Sequence, residues 1–142
     1  MDNKELSKIS FLNQYGSDAH KAKVSAKVDG IIASGNSKAV HHIASASNIS
    51  LSPSQVHGII DHKLEDDRTH PATKLSSWHF GDLKDEHWDK LARHPDSTVA
   101  IGAVASMPMK HLRTAATVNP DGFVRQMATN TFVNKKRAGY EE

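Results

Sequence analysis

The chain has 142 residues, with 18 basic and 16 acidic side chains and a net charge of +2 when its 10 histidines are neutral. That length suits one domain or one short repeat array. The absence of cysteine excludes a disulfide scaffold, thiolate zinc and iron–sulfur sites, and thiol catalysis. No apolar run approaches the roughly 20 residues that span a bilayer, and the N-terminal stretch from Met1 to Phe11 lacks an apolar signal core. The expected location is the cytoplasm.

Strand signals are weak, since alternating β-branched and aromatic runs are missing and only 6% of residues are aromatic. Apolar residues instead recur at three- and four-residue intervals, the helical period. In chain order, Leu6, Ile9, Leu12 and Tyr15 form a first face with Phe11 beside it. Val24, Val28, Ile31 and Ile32 form a second, Val40, Ile43 and Ala44 a third, and Val56, Ile59 and Ile60 a fourth. Gly, Pro, Asn, Asp and Ser punctuate these bursts and so start and stop helices. Ser52-Pro53-Ser54 places a proline in a first turn, where its missing N–H costs little. Asp96 and Asp121 each follow a proline and are N-cap candidates.

The bursts repeat. Val28-Asp29-Gly30-Ile31-Ile32 recurs 28 residues on as Val56-His57-Gly58-Ile59-Ile60. Trp88 to Ala92 and Leu112 to Ala116 fit the same slot. A turn follows each (Gly35-Asn36-Ser37, Pro95-Asp96-Ser97, Pro120-Asp121-Gly122), and then a second short helix rich in small residues. The second copy, Asp67 to Phe80, diverges most, with Pro71 and Ala72 where valine is expected. Coincidental matches in a non-repetitive helical bundle are the alternative reading.

The stretch Leu91 to Asn130 carries the pattern most clearly and resembles variant leucine-rich or HEAT-like α-helical repeats. The resemblance implies an all-α, short right-handed α-solenoid of about four helical-hairpin repeats with an N-terminal capping helix. The expected domain is residues 1–134, with the cap at 1–20, repeats at 24–133, and a frayed charged tail at 135–142. Such solenoids usually bind proteins, and some bind nucleic acid; the resemblance implies no particular chemistry.

The residues themselves point to no catalysis. The phosphate-loop, dinucleotide and nucleophile-elbow motifs are absent, as is H-E-x-x-H. The 10 histidines (His20, His41, His42, His57, His62, His70, His79, His87, His94, His111) lack metal-ligand spacing and read as scattered surface and interhelical residues. Acids cluster at Glu65 to Asp67 and at Asp82, Asp85, Glu86 and Asp89, where helix starts and solvation account for them. Trp78 and Trp88 read as core anchors or interface residues. No cofactor, catalytic residue or metal is expected.

Charge is basic toward both ends and acidic in the middle. The first functional expectation is a non-catalytic protein-interaction module, an accessory or inhibitory factor that binds a larger partner. The row of second helices would supply the contact, with His41, His42, Lys74, Arg125 and Gln126 exposed on it. The alternative is nucleic-acid binding through Lys21, Lys23, Lys27, Lys38, Arg113, Arg125, Lys135, Lys136 and Arg137. A monomer or an end-to-end homodimer with Phe132 and Val133 at the contact is expected.

Overall fold

A computed structural model describes residues 18–46, 49–64 and 69–140. The expected capping helix at Lys4 to Tyr15 lies outside them. Every regular element among the described residues is helical. They are α1 (Asp18–Ser34), α2 (Ser37–Ala44), α3 (Pro53–Ile60), a 3-10 helix (Pro71–Lys74) running into α4 (Leu75–Trp78), a 3-10 turn (Phe80–Asp82), α5 (Asp85–Ala92), α6 (Ser97–Val104), α7 (Met109–Val118) and α8 (Gly122–Arg137). None is long and apolar enough to cross a membrane.

The chain divides into two compact units, Met1–Asp82 and Leu83–Glu142, where the sequence reading has one domain over 1–134. The division falls just after the short 3-10 turn, and each side has its own apolar centre.

In the first unit, α1 and α2 form one pair, and α3 with the 3-10 helix and α4 forms the next. First helices pack on first helices: α1 lies against α3. Second elements pack on second elements: α2 lies against the 3-10 helix. Val24, Val28, Val40, Ile43, Ile59, Ile60 and Leu75 fill the space between them. The ends obey local chemistry. Gly35 takes the left-handed conformation (φ +71°) that closes α1, and the Asn36 side chain accepts the Ala39 N–H at 3.0 Å to open α2. Ser52 and Gln55 form a reciprocal capping box around Pro53.

Gln55 also links the two pairs. Buried at the start of α3, its Nε2 donates across to the Ser25 carbonyl (3.2 Å), Ser25 Oγ (3.0 Å) and Asp29 Oδ1 (2.9 Å) of α1. One turn on, Gly58 lets α1 come close: a Cβ there would lie 2.6 Å from Ile32 Cγ2. Gly30, its counterpart in the repeated motif, has nothing among the described residues within 4 Å of a built Cβ.

The two glycines therefore predict opposite outcomes. Gly30→Ala should stabilise the fold by about 0.5–1 kcal/mol through reduced chain entropy in a helix interior. Gly58→Ala gains the same propensity but must displace a stiff β-branched side chain, at about 1–3 kcal/mol. Thermal melts should move up for the first and down for the second. Equal shifts would show that α1 and α3 do not meet there.

The second unit repeats the plan. The pairs are α5 with α6 and α7 with α8; α5 packs on α7, and α6 on α8. Trp88, Leu91, Val99, Ala103, Leu112, Ala115, Val124 and Ala128 form its core. The anticipated caps are in place. Asp96 accepts the Thr98 N–H at 3.0 Å, and Asp121 accepts those of Phe123 and Val124 at 2.9 and 3.0 Å. Asn119, 1% exposed in the α7–α8 turn, uses its whole amide. Its Nδ2 donates to the Ala92 carbonyl (2.8 Å) and the His94 carbonyl (3.2 Å), and its Oδ1 accepts the Asp121 N–H (2.9 Å). The end of α5 is thereby fastened to the start of α8.

Residues 135–137, expected to begin a charged tail, form the last turn of α8. Two forces hold them. Cations at a helix C-terminus meet the negative end of the dipole. The turn is also closed by Gly139 (φ +96°) and by the Tyr140 N–H donating to the Lys135 carbonyl at 3.0 Å.

Candidate binding surface

In the first unit, α2 presents Lys38, His41 and His42 along one side. Lys38 and His42 are exposed and His41 is half-buried. With Thr69 they line an open cavity of about 430 Å³. Lys74, half-buried, lies on the 3-10 helix that packs against α2. His41, His42, Lys38 and Thr69 are thus brought together, and Lys74 sits on the neighbouring element. Lys21, Lys23 and Lys27 are exposed on α1, away from its buried line of Val24, Val28 and Ile31.

In the second unit, Arg125 and Gln126 lie side by side on the exposed part of α8. The Arg125 Nη1 donates to the Asn119 carbonyl at 2.7 Å, so its guanidinium is partly committed to the fold. Lys135 is half-buried, and its Nζ donates to the carbonyls of Ala105 (3.0 Å) and Met107 (3.4 Å). Its ammonium is also 5.8 Å from the Tyr140 ring centroid. Arg113 of α7 and Lys136 of α8 both stand 5.7 Å from the centre of the Phe132 ring. Phe132 is accordingly half-buried, and Val133 is the more exposed of the two residues expected at a homodimer contact. Lys110 pairs with Asp85 at 2.6 Å, and His111 lies 3.2 Å from the same carboxylate. Hydrogen bonds from Lys110 and then His111 hold the Asp85 carboxyl below its usual range. That contribution to stability is present above the ordinary carboxylate pKa and is lost as pH falls through the lowered value. The pair is well exposed, so screening keeps it small.

Within the described helices the carboxylates, though not the cations, are confined to first helices. The second elements of all four pairs (α2, the 3-10 helix with α4, α6 and α8) contain no aspartate or glutamate. Their charged residues are Lys38, Lys74, Arg125, Lys135, Lys136 and Arg137, all cationic. The carboxylates inside the α-helices, Asp18, Asp29, Asp85, Glu86 and Asp89, all fall on the first helices α1 and α5. Charge assigned by stretch of chain does not reveal this placement of the carboxylates, which needs the helix boundaries.

The histidines were also read too loosely. His62, His70, His79, His87 and His111 are buried. His79 Nε2 donates to the Ile43 carbonyl at the end of α2 (3.2 Å), and His62 Nε2 meets Ser37 Oγ at its start (2.8 Å). Buried His70 and half-buried His94 share a signature. In His70-Pro71-Ala72 and His94-Pro95-Asp96, Nδ1 accepts the N–H two residues on, at 3.0 Å in both. Proline holds the preceding residue extended, which aims the ring back over the next turn. The dipeptide His-Pro ahead of a second element is the signal that could have revealed this, and it is common to the turns before the 3-10 helix and before α6.

No known family model, no curated protein and no solved structure matches this chain.

Proposed function

We propose that the protein is a non-catalytic binding module that engages an acidic surface of a larger protein through its second helices, acting as an accessory or inhibitory factor. The same proposal takes the four helix pairs as repeats of a short α-solenoid and places the protein in the cytoplasm. The observation that carries it is the one-signed charge of the second elements, which hold cations and no carboxylate. Such a surface steers a complementary partner and repels a like-charged one. His41, His42, Lys38 and Lys74 in the first unit, and Arg125 and Gln126 in the second, are the proposed contacts.

A second reading, nucleic-acid binding, is favoured by Arg113 and Lys136 flanking Phe132, and by the exposed Tyr140 just beyond α8. Lys21, Lys23, Lys27, Lys38, Arg125, Lys135 and Arg137 would add phosphate contacts. It ranks second because Arg125 and Lys135 already donate to backbone carbonyls, and because the acids of α5 repel a phosphate backbone.

Capture from host lysate at about 50 and about 200 mM salt, with and without nuclease, separates the two, since phosphate binding falls by orders of magnitude across that range. The proposal expects a discrete protein that survives both nuclease and the higher salt. Nucleic acid retained only at the lower salt would replace it with the second reading.

A further inference from the structure

The basic faces and the cavity beside α2 are already part of the proposed binding surface. Outside them, the most constrained titratable group in the first unit is His70. It is 4% exposed and precedes the 3-10 helix that packs on α2. Both ring nitrogens are assigned by their partners. A backbone N–H can only donate, so Nδ1, which receives the Ala72 N–H at 3.0 Å, is unprotonated. A carbonyl can only accept, so Nε2, 2.7 Å from the His62 oxygen, carries the hydrogen. His70 is therefore a neutral Nε2–H tautomer with both positions used. The His62 ring stands edge-on to it, with centroids 6.1 Å apart, and reaches Ser37 at the start of α2.

We propose that His70 is an acid-sensitive clasp, closing the Pro71–Trp78 stretch onto α2 at neutral pH and releasing it in mild acid. A second proton can enter only at Nδ1, where it would face the Ala72 N–H. That bond must break, and a buried cation must be accommodated or the segment must open. In the opened chain the imidazole takes a proton near the ordinary value of about 6.5. The open form then binds more protons than the closed one, so closure weakens as pH falls.

The charged and titratable groups on the elements packed against the clasp reinforce this. They are Lys38, His41 and His42 on α2, His57 on α3 and Lys74 on the 3-10 helix itself. α4 contributes none. The described residues of the adjoining segment add Asp61, His62 and Lys63, and Asp61 is the one carboxylate among these described residues. Among the described residues of these elements, the fixed charges are mainly cationic. Release would also reshape the cavity lined by Lys38, His41, His42 and Thr69. That consequence rests on the proposed binding surface, whereas the clasp itself does not.

The test is amide hydrogen exchange on the full-length chain at pH 7.5 and 5.5, corrected for intrinsic rates and needing no partner. The Ala72 and Thr73 amides should lose at least about tenfold in protection at the lower pH, while α7 amides hold theirs. His70→Asn keeps a side-chain acceptor for the Ala72 N–H but cannot titrate, so its protection at these amides should be equal at both values. Unchanged protection in the wild type, or the same loss in His70→Asn, overturns the clasp. If the variant does not fold, nitrogen NMR of the wild-type ring decides: His70 should stay an Nε2–H tautomer until Ala72 opens. A ring that protonates while the Ala72 amide stays protected overturns the proposal.

Discussion

Asn119→Ala is expected to destabilise the protein by about 3 kcal/mol, the sum of several buried hydrogen bonds lost and their partners left unpaired. The substitution removes two donors to the Ala92 and His94 carbonyls and the acceptor for the Asp121 N–H. Water cannot readily replace them, because Asn119 is 1% exposed. Asn119→Asp should be at least as damaging, since a carboxylate would face two carbonyl oxygens with no donor. Chemical denaturation with a two-state fit measures both. A loss under about 1 kcal/mol for the alanine variant would mean that the α5 end and the α8 start are held by packing alone.

Gln55→Ala should cost about 2–3 kcal/mol by the same logic, in the first unit. Its Oε1 accepts the Ser52 N–H at 2.9 Å as half of the capping box. Its Nε2 reaches Ser25 and Asp29 on α1. Gln55→Glu separates the two roles: it keeps the capping acceptor but sets a second carboxylate against Asp29. A Glu variant as stable as the wild type would show that the link to α1 contributes little, whereas one as weak as Gln55→Ala would place most of the stability in that link.

Gln55 and Asn119 are analogous devices built from different residues at different points of their helix pairs. That is why the sequence reading did not find them. What it read well was local. Helical period, the proline and aspartate turns and the capping residues act within a few residues of themselves, so the caps Asp96 and Asp121 and the first-turn Pro53 stand where they were expected. The Val-x-Gly-Ile-Ile repeat was legible too, but not its meaning. Gly58 is spared a side chain because Ile32 of α1 sits against it, and Gly30 has no such neighbour among the described residues.

The larger misreadings concern polar residues with tertiary partners. A buried histidine that donates to a carbonyl 36 positions away, as His79 does to Ile43, has no sequence signal of its own. His70 and His94 did have one, the following proline, and the similarity of the two turns was overlooked because the comparison aligned apolar residues. The candidate surface was legible in part. His41, His42 and Lys38 do converge on one cavity, since they share a short helix. Arg125 and Lys135 were counted as available cations although both donate to backbone carbonyls. Those carbonyls belong to turns whose geometry the sequence does not specify.

The central claim is that the carboxylate-free second helices form the binding surface. The most direct test compares retention of the captured partner by the wild type, by Lys38→Glu with His42→Glu on α2, and by Lys21→Glu with Lys23→Glu on α1. All should fold alike, because these side chains are exposed. The account predicts that the α2 variant loses at least tenfold in affinity, about 1.4 kcal/mol, and that the α1 variant loses less than about threefold despite its larger change in charge. Equal losses in the two variants, or a loss confined to α1, would contradict it.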